Sequence, residues 1–264
     1  MTEIEELQDN LRRLGLKRMA TIFSREADRA ATLNSSYTAY LARLVAEELI
    51  AAHERSVNHR YRHARFPGVR TLESFEYGFQ PSINEALIRE LGELTFLEPA
   101  ENIILLGPPG VGKTHLAIGL GIKACGARKR VRFTTALELM DELVVAAAIR
   151  NLAPALEQIS RLDLLIIDEL GYLVMDKPRA NLFFQLVNRC YERVSIILTS
   201  NRAFEQWGEA IGDETIAGAI LDRLVHHSHI IAIQGESYRI RDRRPKKGVD
   251  KQVKSTENDP KPVE

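Results

Sequence analysis

The run GPPGVGKT, residues 107–114, lies directly between the apolar stretch NIILL and the helix-like stretch HLAIGLGIKA, and no other feature restricts the fold of this chain as strongly. A glycine-rich turn that passes from a buried strand straight into a helix aims unpaired N–H groups and the positive end of the helix dipole at one spot, which makes an anion site. Gly107 opens the turn; Pro108 and Pro109 have no N–H, so the donors are Gly110, Val111, Gly112, Lys113 and Thr114. Gly110 and Gly112 let the backbone curl around phosphate oxygens, and Lys113 adds a mobile charge for the β and γ phosphates. The Thr114 hydroxyl suits Mg²⁺, and His115 follows at the edge of the same site. A glycine turn that merely joins strand to helix is the plainer alternative, and the full pattern in this context speaks against it. The loop is expected to hold a nucleoside triphosphate with magnesium.

Such a loop needs a parallel sheet behind it. From residue 100 onward the apolar runs NIILL, VRFTT, LLIID, SIILTSN and HIIAI alternate with helix-length segments, the pattern of five buried strands with helices on both faces. Between VRFTT and LLIID there is room for two helices, residues 137–150 and 154–160, where one crossover helix would suffice. Upstream, residues 3–65 contain no proline and one glycine, with apolar residues at helical spacing: Ile4, Leu7, Leu11, Leu14, then Met19, Ile22, Phe23, then Tyr37, Tyr40, Leu41, Leu44. LNSSY supplies an N-cap signal before the third of these helices. The expected division is a helical N-terminal domain for DNA or a partner over 1–66, a linker and the start of the ATPase domain over 67–100, the ATPase domain over 101–240, and a polar, Pro-containing tail over 241–264 that reads as disordered.

LLIIDE places two carboxylates at a strand's C-terminal end, beside the expected phosphate crevice. Strand alternation sends successive side chains to opposite faces, so Asp168 and Glu169 are given different tasks: Asp168 holds the metal through water and Glu169 polarises the attacking water. The plainer alternative is a polar strand end capping the next turn. An acceptor-phosphorylating kinase would not need that glutamate, which favours hydrolysis. Asn201, ending the strand SIILTSN, carries an amide able to donate to the γ phosphate and accept from the water; out of context it reads as a turn or N-cap residue. Arg223, on a helix running toward the fifth strand without an evident carboxylate, suits an arginine finger given to a neighbouring subunit's nucleotide; a solvated helix arginine is the alternative.

Composition narrows the classes less. The 36 basic side chains balance 36 acidic ones, so attraction to nucleic acid must come from local patches. The two cysteines, Cys125 and Cys190, lack metal or redox spacing and read as small buried hydrophobes in a reducing compartment. The acidic N-terminus has no apolar h-region and the longest apolar stretch, residues 143–149, is too short for a bilayer, so a cytoplasmic protein without membrane contact is expected.

With these elements in this order, GPPGVGKTHLA, LLIIDELGY, LTSNRAFEQWG and AILDRLVHHS resemble the IstB family of insertion-sequence transposition helper ATPases, over about residues 5–242. That family belongs to the initiator type of AAA+ ATPases, near the DnaC helicase loaders and more distantly DnaA. The resemblance implies an α/β fold with five parallel strands in the order 5-1-4-3-2, an extra helix in the second crossover, and homo-oligomers formed with ATP. These would wrap and bend double-stranded DNA, recruit the transposase IstA and stimulate strand transfer, with DNA-stimulated ATP hydrolysis as the switch. It also assigns Asp168 and Glu169 as the Walker B pair, Asn201 as first sensor and Arg223 as the finger acting in trans. A DnaC-like replicative helicase loader is the alternative. The chain departs from the wider class in having too few residues after the fifth strand for a helical lid; Arg239 is the candidate for a reduced second sensor.

For DNA, the row Arg55, His59, Arg62 and Arg65 falls along one helix face and can follow a phosphate backbone, although cations near a helix C-terminus also compensate its dipole. Arg150 is the only basic residue of the extra-helix stretch. A second patch, YRIRDRRPKK, reads as a flexible basic arm. No base-reading signature accompanies either, so weak or absent sequence specificity is expected. His226, His227 and His229 read as helix-end packing, having no carboxylate at suitable spacing, and Trp207 as an interface anchor or a half-buried side chain.

Overall fold

The computed structural model describes residues 2–172 and 174–239. The tail beyond, with most of the basic arm, lies outside the described residues.

Three helices open the chain: α1 (Glu3–Arg13), α2 (Lys17–Thr32) and α3 (Tyr37–Ala64). Thr2 and Glu5 form a reciprocal capping box on α1, and Ser36 caps α3 through the N–H of Ala39. The N-cap position of α2 is Leu16, which has no side-chain acceptor; instead Glu48 reaches over from α3 and accepts from the N–H of Met19 at 2.8 Å. Met19, Ile22, Phe23 and Leu44 form a small core, edged by Leu11, Leu16 and Tyr40. Other positions of the same periodicity, Ile4, Leu7, Leu14, Tyr37 and Leu41, remain exposed, with Ile4 at 61% and Leu14 at 75%. A layer this small has too few opposing faces to cover every apolar stripe.

α3 outlasts this layer and runs into the second part of the molecule. Ala64 is fully buried there, and Phe66 packs on Phe133 with ring centroids 6.3 Å apart. Arg65, at φ 61°, turns the chain off the helix before Pro67. Residues 72–97, including α4 (Glu85–Leu91), then supply Leu72, Ile83, Ile88, Leu91 and Phe96 to the core of the α/β part.

The sheet contains β1 (Asn102–Leu106), β2 (Val131–Thr135), β3 (Leu164–Leu170), β4 (Ser195–Ser200) and β5 (Ser228–Ala232), all parallel, in the order β2-β3-β4-β1-β5. This is the expected order read from the opposite edge. Alternation along the strands splits the core in two. Ile103, Leu105, Ile166 and Ile197 face α5 (Lys113–Gly126) and the segment 72–97. Ile104, Ile167 and Leu198 face the other layer, made of α6 (Ala136–Ala148), α7 (Leu152–Ile159), α8 (Lys177–Cys190), α9 (Trp207–Ile211) and α10 (Glu214–Val225). Both α6 and α7 lie in the second crossover, where two helices were expected. Trp207 is 1% exposed, inside this second core and not at a surface. No helix among the described residues is long and apolar enough to cross a membrane.

Candidate nucleotide-binding site

The carboxyl ends of β1, β3 and β4 converge on one pocket, lined by residues 109–115 of the glycine loop together with Glu169, Thr199 and Asn201. The loop's glycines are required by their neighbours. Gly112, at φ 102°, would place a Cβ 2.5 Å from the Phe75 ring, and Gly110, at φ 83°, one 2.0 Å from Ser237 Oγ. Lys113 is 8% exposed and donates from Nζ to the carbonyls of Gly107 at 2.6 Å and Pro108 at 2.8 Å. Burial lowers its pKa from the usual lysine value, Asp168 and Glu169 oppose that shift, and Arg239 adds to it. A phosphate would bring the counter-charge that two carbonyl dipoles supply only in part.

Asp168 is buried at the end of β3, where its Oδ1 accepts from Thr114 Oγ1 at 3.0 Å and from Thr199 Oγ1 at 2.5 Å. The Thr199 hydroxyl in turn accepts from the N–H of Glu169 at 3.0 Å. Between Ile167 and Leu170 the register of β3 against β4 slips by one residue, and Glu169 sits in the slip at φ 63°. This bulge corrects the reading by strand alternation. A left-handed residue resets the direction of its side chain, so Glu169 lines the same pocket that the partners of Asp168 adjoin. Asn201 also lines the pocket, and its buried Oδ1 accepts from no group among the described residues.

Several pocket residues escaped the sequence reading. Arg70, Ser74, Phe75, Glu76 and Gln80 come from the segment read as a linker. His115 holds this segment: its Nε2 lies 2.9 Å from the Thr71 carbonyl, and its ring meets that of Phe75 edge-on with centroids 5.1 Å apart. The opposite wall is residues 234–239. Tyr238 N donates to the Gly110 carbonyl at 2.9 Å, and Gln80 Nε2 donates to the Glu236 carbonyl at 2.7 Å. The strap thereby brings Arg239 into the pocket lining. A glycine motif announces itself locally, whereas a wall made by remote segments carries no local signal; Leu72 packing where Gly119 lacks a Cβ is visible only in three dimensions.

Other candidates lie elsewhere. Arg223 is not among the lining residues; it donates to Asn188 Oδ1 at 3.1 Å and the Ala219 carbonyl at 3.0 Å, and lies 5.0 Å over the Phe184 ring. Of the residues read as a DNA-facing row, Arg55 is bound to Glu48 at 2.6 Å and Arg65, off the helix, to Glu142 at 3.2 Å. His59 meets His63 with tilted rings 4.0 Å apart, Arg62 is exposed, and Arg150 sits in the turn after α6 at φ 56°. The premise that the histidine cluster lacks a carboxylate is corrected, because Glu192 from the turn after α8 comes within 4.8 Å of the ring nitrogens of His226 and His227. Cys125 and Cys190 are buried, which pushes their thiols up to about 11 and about 12 and leaves neither a nucleophile near neutral pH.

A parallel five-stranded sheet in this order, with a glycine loop facing an Asp-Glu pair and an asparagine across the strand ends, defines a P-loop nucleotide-binding protein of the AAA+ class. Solved structures agree at the level of fold. The replication initiator DnaA bound to AMPPCP and single-stranded DNA matches with a TM-score of 0.53 and 23% identity, over 63% of this chain and 50% of that one. DnaI matches with a TM-score of 0.50 and 20% identity, over 62% and 90%. Within the class, the chain belongs to the family of IstB-like ATP binding proteins, whose pattern matches residues 9–246. It is 46% identical to an ATP-binding protein of insertion sequence IS21 from Pseudomonas aeruginosa, over 91% of each chain. It is 42% identical to one of insertion sequence IS5376 from Geobacillus stearothermophilus, over 91% of this chain and 96% of that one.

Proposed function

We propose that this protein is an ATPase that acts as a DNA-binding helper of transposition, assembling with ATP into a homo-oligomer on duplex DNA, deforming it, and recruiting the element's transposase. The observation that carries the enzymatic part is the bulge that turns Glu169 into the pocket beside Asp168. A protein that only bound ATP would gain nothing from a carboxylate held there in left-handed backbone.

In this reading the backbone N–H groups of residues 110–114 and Lys113 Nζ hold the β and γ phosphates, Lys113 exchanging its carbonyl partners for phosphate oxygens. The hydroxyl of Thr114 and the carboxylate of Asp168, hard oxygen donors already within hydrogen-bond reach of each other, suit Mg²⁺. Bound there, the ion neutralises charge on the phosphates. Glu169 accepts a proton from the water that attacks the γ phosphorus as the bond to the bridging oxygen of ADP breaks, and Asn201 orients that water. Arg223 lies outside its own pocket, which fits a residue that stabilises charge at a neighbour's nucleotide, and Arg239 on the strap reads γ-phosphate occupancy. Membership in a family whose relatives are proteins of insertion sequences supports the transposition role.

Fluorescence anisotropy of Glu169→Gln on labelled duplex and single-stranded DNA, with ATP or ADP, tests this reading. Tight binding to duplex with ATP alone is expected, followed by capture of the cognate transposase. Preference for single strands, or no DNA binding, would sink it in favour of a helicase loader.

A further inference from the structure

At the outer edge of the sheet, β2 borders a groove between the end of α3 and the end of α7, and five arginines line it: Arg60, Arg65, Arg130, Arg132 and Arg161. His59 and His63 add two imidazoles, and no carboxylate is among the lining residues. Acids reach these cations only from the flanks. Asp163 holds Arg130, Glu142 is shared by Arg65 and Arg132, and Glu157 lies 3.5 Å from Arg161. Five guanidinium groups therefore face three carboxylates, and Arg60 has no ion-pair partner among those described.

Two helix C-termini end here, and their negative dipole ends account for some positive charge. They do not account for the hydrogen bonding. The Nε–H groups of Arg60 and Arg132 are both buried without an acceptor, a costly arrangement that a dipole-compensating arginine would relieve on the last carbonyls of its helix. The excess of guanidinium groups over carboxylates points to an anion that the protein itself does not supply. Five arginines along an open groove exceed what one phosphate needs and suit successive phosphates of a nucleic-acid backbone. Apart from the imidazoles nothing aromatic lines it, so unpaired bases find no stacking platform, and a duplex backbone is favoured over a single strand.

We propose that this groove at the β2 edge holds the sugar-phosphate backbone of duplex DNA, and that the solvent row through Arg62 does not. The assignment rests on the reading that the protein binds DNA. The inward face of α3, with Val57 and Ala64, includes Arg60, whereas Arg62 is exposed to solvent.

The test uses the full chain, a non-hydrolysable ATP analogue, and a fluorescent duplex of arbitrary sequence titrated across a salt series. Arg65→Ser combined with Arg161→Ser is the first variant, since these side chains are 66% and 70% exposed and pair with exposed carboxylates. Arg60→Gln is the second and Arg62→Ser the control; binding of a fluorescent ATP analogue should be unchanged in all. The double variant should weaken duplex binding at least about tenfold and flatten the slope of log K against log salt by about 1.8, at about 0.9 for each phosphate no longer neutralised. Arg60→Gln should flatten that slope by about 0.9, and Arg62→Ser should leave it as in the wild type. If the wild type binds duplex and the groove variants bind as it does, or Arg62→Ser alone loses affinity, the groove assignment is overturned while the DNA reading stands. If the wild type fails to bind duplex, both fall. Equal binding of single strands through the same residues overturns the duplex assignment.

Discussion

A single hydroxyl organises the carboxylates of the site. Thr199 donates to Asp168 and receives the N–H of Glu169, so it holds one carboxylate by its side chain and the other by its backbone. It touches neither nucleotide nor water in the proposed mechanism and is a positioning residue. Thr199→Val, of nearly equal volume, should leave the KM for ATP unchanged and lower kcat about ten- to a hundredfold, with Thr199→Ser restoring it; steady-state ATPase assays decide. Lys113 gives a prediction of opposite sign for stability. Burial lowers its pKa below 10.5, so in the window between the lowered and usual values the unfolded chain binds more protons and stability rises with pH. The charge thus works against the ligand-free fold at neutral pH. Lys113→Met should melt no lower than wild type without nucleotide, and ATP should raise the wild-type Tm but not that of the variant; thermal scans with and without ATP check both.

Among elements, α2 depends on a cap that comes from another helix. Glu48 is buried, and burial alone would raise its pKa, but the N–H of Met19, the Arg55 guanidinium and the N–H of Arg18 outweigh it and hold the carboxyl below its usual value. A carboxylate with a lowered folded-state pKa contributes stability that is full above the unfolded value and is lost as pH falls through the folded one. Glu48→Gln should destabilise the helical layer by about 1–3 kcal/mol at neutral pH and flatten its loss of stability in acid, read by urea unfolding followed by circular dichroism. The same pair ties up Arg55, one cation of the row expected to face DNA. β3 offers a second element-scale lesson. Alternation is the rule for a regular strand, and LLIIDEL contains nothing that announces a bulge, because the slip is produced by the pairing with β4.

At the scale of the molecule, the nucleotide pocket is closed by segments from both ends of the α/β part, residues 70–80 and the strap 234–239, which hydrogen-bond to each other across it. Arg223 sits outside that pocket, so the catalytic role proposed for it would need a second subunit. Mixing Arg223→Ala with Lys113→Ala tests this directly. The first supplies an intact pocket and the second an intact finger, so the mixture should recover part of the ATPase that each lacks alone; no recovery would remove Arg223 from the site.

What the sequence determined by itself is what depends on local pattern. Apolar runs of strand length alternating with helical segments specify a parallel sheet, and a glycine loop ending in Lys113 and Thr114 specifies a phosphate site, because both follow from backbone geometry over a few residues. The position of Asp168 and Asn201 at strand ends was legible for the same reason. Only the tertiary structure decided that a bulge sets the backbone of Glu169, that Thr199 orders the carboxylates, that Arg70, Phe75 and Tyr238 wall the pocket, and that Arg60 lines a groove while Arg55 is held in an ion pair. Each depends on a neighbour distant in sequence, and a hydrogen bond or ion pair between remote segments leaves no periodicity in either of them.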